Sequence, residues 1–166
     1  METAEAALRR LHETLRRKKR HLTAVHFGTP CVPADVAAWE AANKTQLPPS
    51  FKRFLLDVGS AYVHDDADNC EYWPTLRLDE LSLAPDFIVQ YDDDYGGELT
   101  NRALAFQGNC YREDHFVFDL QTRSPEGECA ILELDPSDEF SFPSDGVTQS
   151  FDEHIVELVA VILAKK

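Results

Sequence analysis

Leu8, Leu11, Leu15, Leu22 and Val25 recur at the three- and four-residue steps of a helix, and Arg9, Arg10, Arg16, Arg17, Lys19 and Arg20 fall mostly off that stripe. The pattern predicts an amphipathic first helix. Gly28-Thr29-Pro30 breaks the chain, and Pro33 opens a short second helix with Val36, Trp39 and Asn43 on one side. Leu47-Pro48-Pro49-Ser50 stops that helix and caps a third, whose stripe of Phe51, Phe54, Leu55 and Val58 ends at Gly59. Tyr62 to Trp73 reads as a polar, acidic stretch, Leu76 to Leu83 as a strand running into a turn of helix, and Tyr91 to Gly97 as a surface loop. Three strands follow, Arg102 to Gln107, His115 to Leu120 and Glu128 to Leu134, as an antiparallel meander. Ser150-Phe151-Asp152-Glu153 matches a capping box and opens a last helix through Ala164, with Ile155, Leu158, Val159 and Ile162 as its stripe. A central antiparallel sheet flanked by N-terminal helices and a C-terminal helix makes the expected class α+β.

At 166 residues and 43% apolar composition the chain has the size and core content of one compact domain. It carries neither a membrane-length apolar run nor the apolar stretch of an export signal, so the expected setting is the cytoplasm. Charge divides the sequence. Residues 1 to 20 hold seven basic and three acidic side chains, a net of +4, which leaves −18 for the rest of a chain whose total is −14. A body that acidic repels phosphate backbones and anionic lipid and hastens encounter with basic partners, so neither nucleic acid nor a membrane is an expected ligand. The basic first helix lacks interleaved aromatics for stacking on bases, and its cations suit a helix C-terminus docked on an acidic body.

Templates for catalysis fail one after another. Cys31, Cys70, Cys110 and Cys129 lie too far apart for a zinc knuckle and read as buried or half-buried thiols. Cys110 and His115 on neighbouring segments are the one conceivable nucleophile pair. Asp92-Asp93-Asp94 lacks the alternating ligands and closing Glu of a calcium loop, so solvated loop charge is the expected role. Asp114 and Asp119 are two acids among thirty, and the six histidines are scattered. Neither a phosphate-binding glycine loop nor a nucleophile elbow occurs. The expectation is a binding protein without catalytic residues, metal or cofactor.

Order and motif together resemble a known family. Leu47-Pro48-Pro49-Ser50-Phe51-Lys52-Arg53-Phe54-Leu55, ending at Gly59, is similar to the leucine-proline helix of the SMI1/KNR4 (SUKH) superfamily. Ala103-Leu104-Ala105-Phe106, Phe116-Val117-Phe118-Asp119-Leu120, Ile131-Leu132-Glu133-Leu134 and the closing Ser150-Phe151-Asp152-Glu153 resemble its later strand, strand, strand, helix order. The likeness runs from about Pro33 to Leu163, with residues 1–28 expected as a basic helical addition packed on a domain of residues 29–166. Val58-Gly59-Ser60 and Arg112-Glu113-Asp114 stand where the family has richer glycine turns.

The resemblance implies a binding scaffold. Many bacterial members are immunity proteins that neutralise a toxin delivered by neighbouring cells, and fungal members regulate signalling and the cell wall. The implied function is therefore an immunity protein against a cognate antibacterial toxin with a basic active-site surface; the alternative is a regulatory or scaffold module for an endogenous partner. The expected contact residues are the acidic segments Asp65, Asp66, Asp68 and Glu71 with Asp92, Asp93, Asp94 and Glu98, and the interleaved aromatics Tyr72, Trp73, Tyr91 and Tyr95.

Overall fold

A computed structural model of the chain describes residues 2–17, 23–65, 70–72, 75, 77–83, 102–108, 115–134 and 149–165. In chain order the described elements are α1 (Ala4–Arg17), β1 (Thr23–Phe27), α2 (Pro33–Asn43), α3 (Pro49–Asp57), β2 (Ala61–Asp65), β3 (Cys70–Tyr72), a 3-10 turn (Leu78–Glu80), β4 (Ala103–Gly108), β5 (His115–Arg123), β6 (Cys129–Leu134) and α4 (Phe151–Lys165). The α+β class and the placement of helices at both ends are as the sequence predicts.

Antiparallel strands fall into two sheets rather than one among the described residues, ordered β1-β2-β3 and β4-β5-β6. Thr75 joins them. It bridges to Gln107 of β4, while its N–H donates to the Ala61 carbonyl at 2.8 Å and its hydroxyl accepts from the Ala61 N–H at 2.6 Å.

The first sheet corrects the sequence reading twice. Val25 belongs to a strand, not to a continuing helix: α1 ends at Arg17, and Val25 lies opposite Val63 with both buried. Alternation decides the matter, since Val25 faces the core while the next residue, His26, stacks on Tyr62 at 4.7 Å between ring centroids on the exposed side. The stretch from Tyr62 to Trp73 is likewise no mere acidic connection, for it contains β3 and all of β2 but its first residue, with Val63 turned inward. Of the stretch Leu76 to Leu83, expected as a strand running into a turn of helix, residues 77–83 are described and hold the 3-10 turn without a strand.

Burial follows the apolar stripes. Ala4, Ala7, Leu8, Leu11 and Leu15 of α1 are buried, as are Ile155, Val159 and Ile162 of α4, and these two helices pack together. At the centre Phe51, Phe106, Phe118 and Phe151 are fully buried, with ring centroids from 4.0 Å for the Phe106–Phe118 stack to 6.5 Å for Phe118–Phe151. Burying each such ring contributes about 1.5–3 kcal/mol, so this cluster clamps α3, α4 and the second sheet into one core.

Hydrogen bonds at the helix starts refine the picture. Ser150 forms the expected capping box, donating its N–H to Glu153 Oε2 at 2.9 Å and accepting the Glu153 N–H at 3.2 Å. Ser50 does not cap its own helix; Pro48 holds the cap position. Its hydroxyl instead donates to Glu128 at 2.7 Å and accepts the Phe151 N–H at 2.9 Å, so it caps α4 from across the core. Among the described residues no helix is long and apolar enough to cross a membrane.

Candidate functional site

Two backbone segments far apart in sequence cross and frame a concavity. Gly28 donates its N–H to the Ser60 carbonyl at 2.8 Å, and Cys31 donates to Leu55 at 2.8 Å. Gly59 sits at φ +84°, where a side chain is strained, and any Cβ there would collide with the Thr29 carbonyl oxygen. Glycine is thus required at the crossing. The groove above it, about 660 Å³, opens between this crossing, the first turns of α2 and the 3-10 turn.

Its walls mix apolar surface with charge. Val32 stands at the lip with 57% of its surface exposed, and Trp39 forms a half-buried wall whose Nε1–H donates to the Leu81 carbonyl at 3.4 Å. Asp35, Arg77 and Asp79 also line it, Arg77 pairing with Asp79 at 2.8 Å. Cys31 lies in the same groove as a free thiol. Burial, reinforced by the carboxylates of Asp35 and Asp79 over the opposing influence of Leu78's backbone and Arg77, pushes that thiol up, so it is protonated near neutrality and not an activated nucleophile.

Other ionisable groups are committed to structure. Asp119 accepts from Arg102 Nε and Nη2, both at 2.8 Å, from Thr122 at 2.5 Å and from the Gln121 N–H at 3.1 Å. Burial opposes its charge, but these donors outweigh it and hold the carboxyl below its ordinary range. Burial pushes the Cys129 thiol up to about 11 and His154 down to about 4. Asp152 accepts the Ala4 N–H at 2.8 Å and pairs with Arg53, tying α1 to α3 and α4. Among the described residues no group of three or more His, Cys, Asp or Glu side chains is arranged to hold a metal ion.

Of the residues expected to contact a partner, Asp65, Glu71 and Tyr72 take register positions in the β2–β3 hairpin, opposite Cys70, His64 and Val63. Asp66, Asp68, Trp73, Tyr91, Asp92, Asp93, Asp94, Tyr95 and Glu98 lie outside the described residues, as do Cys110 and Asp114. The groove was not anticipated. Its sequence signals were the breaks at Gly28 and Gly59 and an apolar Val32 between Pro30 and Pro33 that belongs to no periodic stripe.

Residues 30–156 match the SMI1 / KNR4 family (SUKH-1). The chain belongs to that family. No curated protein matches it. The matched span of this SMI1/KNR4 protein takes in α2, α3, both later strand groups and the start of α4, while α1 and β1 precede it and still supply Leu11, Leu15 and Val25 to the shared core. The groove is built almost wholly within the matched span, from residues 30–32 at one wall to the 3-10 turn at the other.

Proposed function

We propose that this protein is an immunity-type binder that neutralises a cognate antibacterial toxin in the cytoplasm by presenting an acidic surface to a basic one, without transforming a substrate. Membership of the SMI1/KNR4 family over residues 30–156 carries the reading, because the family is a protein-binding scaffold and its bacterial members include toxin-neutralising proteins. Charge supports it. A body at −18 outside the first twenty residues attracts a cationic toxin cleft, and an acidic plug both steers association and covers that cleft. In this reading Asp65 of β2 and Glu71 of β3, with Asp66 and Asp68 between them in sequence, work with Asp92, Asp93, Asp94 and Glu98, and Tyr72, Trp73, Tyr91 and Tyr95 serve as anchors. Residues 1–28 act as a basic N-terminal addition, with α1 packed on the domain and β1 paired to β2.

Co-expression with the product of the neighbouring gene, followed by size-exclusion chromatography and a growth-rescue assay, tests it. A stable complex that restores growth is the expected result. Replacing Asp92, Asp93 and Asp94 with Lys should slow association roughly tenfold and flatten its salt dependence. A complex that forms without protecting the host points instead to a regulatory or scaffold module, and absence of any complex removes the immunity reading.

A further inference from the structure

We infer that the groove between the start of α2 and the 3-10 turn is an anchoring site for a short protein segment in which apolar side chains are flanked by lysine or arginine. Three independent features converge on that occupant. The first is shape: about 660 Å³ accommodates a few side chains, and a crossing held by backbone hydrogen bonds, with Gly59 at a positive φ that only glycine takes freely, is preformed rather than collapsible.

The second is the surface beside it. Surface helices ordinarily turn charged side chains outward, yet α2 fully buries only Val36 and exposes Ala34, Ala37, Ala38, Ala41 and Ala42. With Val32 at the lip, apolar surface therefore continues out of the groove and along the helix. A small molecule needs only the concavity; a continuous face of short side chains suits a macromolecule that can approach the helix closely.

Charge, the third feature, selects the sign of the flanking residues. Asp35 and Asp79 outnumber Arg77 in the groove, and both carboxylates act on the Cys31 sulfur that also lines it. The Arg77–Asp79 pair is exposed on both sides, 63% and 67%, so holding it closed contributes about 0–1 kcal/mol and a partner cation can take Asp79 over at little cost. An anionic segment would meet two carboxylates in a body already far from neutral.

The inference rests on the domain being protein-binding, but its test needs no toxin. The chain has two tryptophans, so Trp73→Phe leaves Trp39, in the groove wall, as the sole reporter. Three capped peptides serve as probes: Gly-Lys-Leu-Leu-Lys-Gly, Gly-Glu-Leu-Leu-Glu-Gly and Gly-Lys-Ser-Ser-Lys-Gly. Isothermal titration on the unmodified chain repeats each measurement. The lysine-leucine peptide should saturate with a Kd at or below roughly 1 mM, and the other two should bind about tenfold more weakly. Val32→Lys, at a position too exposed to matter for folding, should weaken it about fivefold or more. Asp35→Asn with Asp79→Asn should erase the preference for lysine over glutamate. Lack of saturation in both measurements, equal binding of the glutamate peptide, or indifference to Val32→Lys overturns the inference. Such a failure would leave a complex with the neighbouring gene product intact, whereas peptide binding without that complex would keep the groove and remove the toxin.

Discussion

His154 makes the stability of this fold depend on mildly acidic pH. Its side chain is 6% exposed, packed against Phe106 at 5.6 Å and Phe116 at 4.8 Å between ring centroids, and its Nε2–H donates to Gln107 Oε1 at 3.0 Å. Burial disfavours the imidazolium and pushes the group from the ordinary 6.5 down to about 4. Unfolding therefore takes up a proton between those values. The stability held by the neutral imidazole is complete above 6.5 and drains away as pH falls toward 4. At about 1.4 kcal/mol per unit, the full interval corresponds to about 3 kcal/mol, of which about 2 kcal/mol is lost between pH 7 and pH 5. The loss at Asp119, whose carboxyl is held low, comes at more acidic pH, so the window from 7 to 5 isolates the histidine. Urea unfolding of the wild type and of His154→Gln across that window reads the effect as a difference in slope. The wild type should lose about 2 kcal/mol more than the variant whatever their absolute stabilities. Parallel curves would mean that His154 protonates in place, and the burial argument would be wrong.

Two other substitutions probe the frame of the groove and the second sheet. Gly59→Ala forces a Cβ into both a positive-φ backbone and the Thr29 carbonyl, and should cost roughly 3 kcal/mol, seen as a fall of roughly 6–12 °C in Tm. Arg102→Ala strands the Asp119 carboxylate, whose side chain is 2% exposed, and should cost about 3–5 kcal/mol in denaturant unfolding, with Asp119→Asn in the same background recovering part of the loss.

What the sequence made legible was local. The stripes of α1, α3 and α4, the proline that opens α2 and the three strands of the meander each lie within a single element, and each appears close to where the sequence puts it. β1 was misread because Val25 falls in phase with the leucines of α1, and only pairing with β2, some forty residues on, makes it a strand. β2 and β3 were hidden for a related reason: histidine, tyrosine and acidic residues make up much of this hairpin, and within β2 the buried residues are the small Ala61 and Val63. The groove was less visible still, since its floor is a backbone crossing between residues 28–31 and 55–60 and one wall comes from residues 77–79. No window on the chain contains it.

The motifs that carried the family resemblance explain why a local reading nevertheless reached the right fold. The leucine-proline helix and the Ser150-Phe151-Asp152-Glu153 helix are a hundred residues apart in the chain, and in the fold they meet at four positions of α3. Ser50 accepts the Phe151 N–H, Phe51 and Phe54 each hold the Phe151 ring at 5.0 Å, and Arg53 pairs with Asp152. Glu128, just before β6, closes the arrangement by accepting both the Ser50 N–H at 2.9 Å and its hydroxyl. A serine after proline and a serine-phenylalanine pair look like ordinary helix starts when taken singly. Their value as a signature lies in coupling: each satisfies a polar group or fills a space that the other leaves, so losing one partner would leave a buried N–H unpaired or a ring unpacked. Sequence order could register that coupling, because both of its partners lie within the chain. It could not register the groove, whose apolar lip and acidic rim answer to a partner outside the chain.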